Sequence, residues 1–143
     1  MSLAEANAQS WRELRSFLDE STDPRVDNWK NAVFDLLDQL ATLGADRLFR
    51  AGQGMSHIMF STKKTHRLDR SDPHVVVTVS VTGRTLPVEV AFGSGVWGIE
   101  GHFDIVFCPF DDARYEILKA LARLWQKTKR EPPPAEIAAY AAN

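Results

Sequence analysis

The chain contains four histidines, the residue type most often used for acid–base catalysis and metal binding near neutral pH. They stand at His57, His66, His74 and His102, separated by 9, 8 and 28 residues. Zinc sites usually include one closely spaced pair of ligands, and no such pair occurs here. His57, His66 and His74 could still approach one another around a loop that also carries Asp72. These four residues are an alternative site, for a small-molecule ligand or for an enzyme's substrate, and no metal or cofactor is predicted.

The single cysteine, Cys108, is the candidate for thiol chemistry, and it excludes an intramolecular disulfide. A catalytic Cys–His pair needs a histidine within hydrogen-bonding distance of the sulfur. His102 lies six residues upstream on the same predicted strand, which separates the two side chains by roughly 20 Å. We therefore predict a buried, unreactive thiol and assign no catalytic residue.

Two glycine-containing segments, 51–54 and 93–95, are interpreted as turns between strands. A phosphate-binding loop needs a lysine after its glycines and the start of a helix, and neither follows Gly54. The absence of such a motif favours a protein that is not an enzyme.

A basic block interrupts an otherwise acidic chain. Residues 47–70 carry six basic side chains and one acidic one, whereas residues 1–46 carry four basic and nine acidic ones. The net charge of the whole chain is -2, so nucleic-acid binding would depend on this block alone. The loop at 62–70, with Lys63, Lys64, Arg67 and Arg70, is therefore a second alternative, a nucleic-acid site.

One of the four tryptophans, Trp97, is flanked by glycines in a short predicted strand. A large aromatic side chain in that setting is typical of an interface anchor, because tryptophan is enriched among the residues that dominate binding energy. Glu89, Glu100 and Asp104 lie in the same acidic part of the chain. These four residues are the predicted partner-binding site, and the partner surface is expected to be basic.

The 143 residues, 44% hydrophobic and 25% charged, fit one domain spanning 1–143 with a sizeable core. No apolar run approaches the roughly 18 residues of a membrane span. The first residues show no basic region followed by an apolar core, so a cytoplasmic protein without a membrane partner is expected.

Apolar spacing predicts helices over about 3–20, 24–43 and 112–129, and a short tail helix over 135–142. Asp23 is the expected cap of the second helix, Asp111 or Asp112 the cap of the third, and Gly44 the left-handed residue after the second helix.

Alternating β-branched and aromatic residues predict a sheet over about 47–108. Its segments are 48–50, 55–61, 75–81, 86–92, 96–99 and 102–108, with a hairpin turn at 82–84. Pro87 lies within one predicted strand and should either mark a sheet edge or have its missing amide directed away from a neighbouring strand.

The predicted fold is therefore α+β, with an N-terminal helical hairpin, an antiparallel meander of about five strands, and a C-terminal helix packed on the sheet. We expect a non-enzymatic module that binds one partner protein, of the toxin-neutralising (immunity) or secretion-chaperone type. A homodimer is compatible with the sequence, since a second sheet edge stays free to pair between copies.

Overall fold

The computed structural model describes residues 1–54, 57–64 and 71–141. The helices are α1 (Leu3–Asp19), α2 (Asp27–Thr42), α3 (Ala45–Leu48), α4 (Phe110–Lys129) and α5 (Ala135–Ala138), with a 3-10 turn at Pro24–Val26. The strands are β1 (Arg50–Gly54), β2 (His57–Ser61), β3 (His74–Thr78), β4 (Val88–Val96) and β5 (Glu100–Cys108). They form one antiparallel sheet in the order β1-β2-β3-β4-β5, which confirms the predicted α+β class.

The N-terminal helix pair is confirmed, with small changes at its ends. The Ser2 side chain accepts a hydrogen bond from the Glu5 amide at 3.1 Å and begins α1. Asp23 caps the 3-10 turn rather than α2 itself, so α2 begins three residues later than predicted. Gly44 has a φ of 85°, which confirms the left-handed residue at the end of α2.

The first strand is displaced from its predicted position. Leu48 ends the short helix α3, and residues 51–54, interpreted above as a turn, belong to β1. The prediction was wrong because Gly52 pairs with Met59 and Gly54 with His57, so neighbouring strands hold the glycines extended. Residues 55–56, the start of the predicted strand 55–61, lie outside the described residues.

The connection between β3 and β4 is longer than the predicted hairpin. β3 ends at Thr78, and residues 79–87 form a loop in which the Gly83 amide donates to the Ser80 carbonyl at 2.8 Å. Pro87 immediately precedes β4, a strand with neighbours on both sides, so the predicted edge position of Pro87 was wrong. A residue without an amide hydrogen is placed before the ladder begins.

The third correction concerns the last hairpin. Residues 93–95 continue β4 instead of turning, and 96–99, predicted as a strand, contain the turn. The two strands approach so closely at Gly93 that a side chain there would overlap the carbonyl of His102 on β5. Glycine is therefore required at this position of the strand. The turn closes with a hydrogen bond from the Ile99 amide to the Val96 carbonyl at 3.0 Å, and Gly98 has a φ of 81°.

The last long helix follows the sheet directly. α4 begins at Phe110 after Pro109, and neither Asp111 nor Asp112 caps it; both lie in its first turn. Acidic side chains there still favour the helix through the partial positive charge at its start. The tail helix α5 ends at Ala138, shorter than the predicted 135–142.

One apolar cluster fills the space between the helices and one side of the sheet. Its strand residues include Phe60, Val75, Val90 and Phe92, which alternate with residues of the opposite side. Trp11 of α1 lies on Phe60 with ring centroids 5.1 Å apart. The described helices therefore share one side of the sheet, which we call the helix side, and we call the other the open face.

Candidate functional site

The two edges of the sheet differ in how they are covered. At β1, the Ser10 hydroxyl accepts a hydrogen bond from the Ala51 amide at 2.9 Å. The Trp11 indole donates to the Phe49 carbonyl at 2.8 Å, just before the strand. β5 is the other edge, and among the described strands it pairs with β4 alone. Side chains of α1 thus bond the Ala51 amide and the Phe49 carbonyl at the β1 edge, whereas no helix covers β5 in this way in the described part of the chain.

Strand β5 is exposed on both of its faces. Ile105, Val106 and Phe107 are 46%, 43% and 64% exposed, although consecutive strand residues point in opposite directions. Pairing of Ala91 with Ile105 and Glu89 with Phe107 puts Ile105 and Phe107 on the open face. A strand that exposes apolar side chains on both faces and has a free edge can accept another strand or a partner surface.

An aromatic cluster continues this apolar surface toward the β4–β5 turn. The Trp97 and Phe103 rings meet edge to face, with centroids 5.1 Å apart, and Phe103 meets the His74 ring in the same way at 5.5 Å. Trp97 and Phe103 are half-buried. Trp97, Phe103, Ile105 and Phe107 together are called the β5 patch below.

The acidic residues predicted to surround Trp97 are spread over the sheet. Glu89 lies on the open face beside Phe107, seven positions before Val96 and thus about 23 Å from it along β4. Glu100 is exposed where β5 begins. Asp104 is on the helix side, where Arg123 donates a hydrogen bond to its carboxylate at 2.7 Å.

The structure brings two of the predicted ligand residues to the open face. His57 and His74 both lie there, and burial, followed by the influence of His74, lowers the pKa of His57. The Nδ1 of His74 donates to the Asp72 carbonyl at 3.0 Å, and the Asp72 carboxylate pairs with Lys63 at 3.0 Å. His66 lies outside the described residues. No group of three metal-ligating side chains occurs within the described ranges.

The thiol is placed where a nucleophile would be suppressed. Cys108 is buried, and burial, with Glu116 and Asp112 nearby, raises its pKa to about 11. His102 and Cys108 pair with Ser94 and Val88, six residues apart on β4. The interpretation of Cys108 as a small buried side chain agrees with this geometry.

The basic loop is only partly described. Lys63 is engaged by Asp72, and the Lys64 carbonyl accepts a hydrogen bond from Arg50 at 2.7 Å. Arg67 and Arg70 lie outside the described residues. In the described part of the loop, the Lys63 side chain is therefore held in an ion pair within the protein. Nucleic-acid binding by this loop stays a prediction.

Two grooves flank these surfaces. Between β5 and α4, adjoining cavities of about 630 and 220 Å³ are lined by Val106, Asp104 and Arg123 among others; we call them the β5–α4 groove. A third cavity of about 440 Å³ lies between the end of α1 and the start of α2, lined by Phe17, Trp29 and others.

The exposure of Ile105, Val106 and Phe107 on β5 was not predicted from the sequence. The available signal was three consecutive apolar residues, 105–107, in the last strand of a meander, where at most one face can be covered by the following helix.

No described helix combines the length and apolar character that crossing a bilayer requires. Compared with family models, with curated proteins and with solved structures, the chain matched none of them.

Proposed function

We propose that this chain is a non-enzymatic protein-binding module that holds its partner with the β5 patch. The observation that carries the proposal is the exposure of apolar side chains on the open face of β5, where Ile105 and Phe107 are 46% and 64% exposed. Large exposed apolar patches on soluble domains mark interaction sites, since leaving them in water is unfavourable.

The patch has the layout of an interface with an aromatic anchor. Trp97 and Phe103 support each other edge to face at one end, so both rings are held in place before a partner arrives. Ordered aromatic side chains lose little conformational freedom on binding and therefore retain more of the binding free energy. Glu89, half-buried beside Phe107 at the other end, would face a basic group of the partner.

The sequence-based set of partner-binding residues is revised accordingly. Trp97 and Glu89 stay in the proposed site, and Glu100 borders it at the turn. Asp104 is assigned to the helix side, where Arg123 already neutralises it. Toxin-neutralising and chaperone roles in the cytoplasm both remain predictions within this class, and the identity of the partner distinguishes them.

The proposal is tested by affinity capture from the native host with three versions of the chain. The wild type and the Phe17→Ala control, which removes an aromatic ring 59% exposed on α1, should retain the same protein. Trp97→Ala should lose it, with the circular dichroism spectrum unchanged. With the captured protein purified, Glu89→Lys should weaken binding, because it places a positive charge against a basic partner surface.

Two results would contradict the proposal. One is capture of the same protein, with unchanged affinity, by both Trp97→Ala and Phe107→Ala. The other is a saturable thermal stabilisation by zinc, nucleotides or short nucleic acids that disappears in His57→Ala or Lys64→Ala, since it would favour the alternative sites.

A further inference from the structure

The outer edge of β5 has a second property, which does not depend on the partner proposed above. A nine-residue strand, with apolar side chains exposed on both faces, is a ready template for pairing with another strand. Soluble chains usually protect such an edge with prolines or by covering it, and β5 contains no proline. We propose that a second copy of this chain pairs with β5, antiparallel across a two-fold axis, and extends the sheet to ten strands.

The side chains of β5 favour one register for this pairing. With the two-fold axis at Ile105, the open face pairs Ile105 with itself, and Phe103 with Phe107 of the second copy. Such apolar cross-strand pairs stabilise a sheet. An axis at Asp104 would place two carboxylates directly opposite each other, which is unfavourable. The axis at Ile105 is therefore the register that pairs all three open-face apolar residues, Phe103, Ile105 and Phe107, with one another.

Helix α4 carries charges that fit the same axis. Four charged residues of α4 line the β5–α4 groove at spacings of three and four: Glu116, Lys119, Arg123 and Lys127. Asp112 lies four residues before Glu116 on the same side of the helix. The stripe is acidic toward the start of α4 and basic toward its end. A two-fold axis reverses the direction of the second helix, so the acidic end of each stripe faces the basic end of the other.

The centre of the charged stripe coincides with the centre of the strand. Asp104 is bonded to Arg123, and Val106 lines the groove together with Glu116. The middle of the stripe, near Lys119, therefore lies at the same level along β5 as Ile105, but on the helix side of the sheet. One axis thus satisfies both the apolar pairing of β5 and the charge pattern of α4, and Val106 of both copies would line the groove between the helices. This agreement identifies a second copy, rather than an unrelated strand, as the occupant of the edge.

The first test is the mass of the full chain in solution, measured by sedimentation and light scattering across a wide range of concentrations. The wild type should have twice the mass of one chain. Ile105→Lys should raise the dissociation constant of the dimer by about a hundredfold, because each dimer loses an apolar pair and gains two facing like charges. Val81→Lys, at a loop residue 60% exposed, is the matched control and should remain a dimer.

The second test reports the register directly. In a Cys108→Ala background, Ile105→Cys should form a covalent dimer on mild oxidation, because the paired Cβ atoms would lie about 4.5–5.5 Å apart. Val81→Cys in the same background should not. A wild type that stays monomeric at every concentration, or a dimer unaffected by Ile105→Lys, overturns the proposal.

The outcome is separable from that of the proposed function. Trp97→Ala lies outside the paired segment and should leave the dimer intact while abolishing partner capture. A monomeric protein whose capture still depends on Trp97 would refute the dimer alone.

Discussion

Gly93 should be the glycine of the sheet that least tolerates a side chain. A Cβ atom at this position would lie 2.8 Å from Phe103 Cα and would overlap the carbonyl of His102, whereas ordinary contacts begin near 3.4 Å. The obstacle is the backbone of β5, so it cannot rotate away. Gly93→Ala must therefore displace the β5 backbone by about 0.6 Å to relieve the contact with Phe103 Cα, and by more to relieve the overlap with the His102 carbonyl.

Overpacking against rigid backbone typically costs 1–3 kcal/mol, and the upper end applies here, about 3 kcal/mol. At about 2 kcal/mol per molar urea, the unfolding midpoint should fall by about 1.5 M. Gly52→Ala is the matched control, because it makes the same change on the same face of β1 with nothing within 4 Å. Its free energy of unfolding should change by less than about 1 kcal/mol, since a strand alanine is no less favourable than glycine.

The measurement is urea unfolding followed by tryptophan fluorescence and circular dichroism on both variants. Equal midpoints for Gly93→Ala and Gly52→Ala would refute the close approach of β4 and β5 that holds the hairpin in place. A Gly93→Ala chain that fails to fold, beside a folded Gly52→Ala chain, would agree with it.

Three further predictions concern single side chains. Burial raises the pKa of Cys108 from 9.0 to about 11, so both the folded and the unfolded chain keep the thiol proton well below pH 9. Above pH 9 the unfolded chain loses this proton first, and the free energy of unfolding of the wild type should fall by about 2–3 kcal/mol by pH 11 relative to Cys108→Ala. The difference between the urea midpoints of the two proteins at each pH measures this loss. Trp11→Phe should cost about 2–3 kcal/mol in the same assay, because the buried Phe49 carbonyl loses its 2.8 Å hydrogen bond; a change below 0.5 kcal/mol would contradict that contact's importance. Asp104→Asn should change stability by less than about 1 kcal/mol, because its ion pair with Arg123 is exposed to solvent, and a larger loss would show that the pair is structural.

The helices and the overall class could be predicted because their signals are local. Leu36, Leu40 and Leu118 recur at helical spacing and lie in the core, and Gly44 ends α2 with the left-handed backbone that glycine permits. The alternation of Val75 and Val77 with Val76 likewise placed β3. These features depend on near neighbours along the chain.

The errors occurred where the conformation of a glycine or the position of a proline is set by pairing with a strand distant in sequence. Gly52 and Gly93 were interpreted as turn residues, but they stay extended because β2 and β5 pair with them. The same limit applied to the site: Asp104 was grouped with Glu89 by charge, although Arg123 holds it on the other side of the sheet.

By itself, the sequence determined which segments bury apolar side chains and where the long helices end. Only the tertiary structure decided that β5 is the edge that the described residues leave uncovered, and that Trp97 packs on Phe103 at one end of the face that carries Ile105 and Phe107. The physical reason is that the spacing of apolar residues along the chain indicates which side chains are buried, whereas the order of strands in the sheet decides which strands are covered by helices or by other strands.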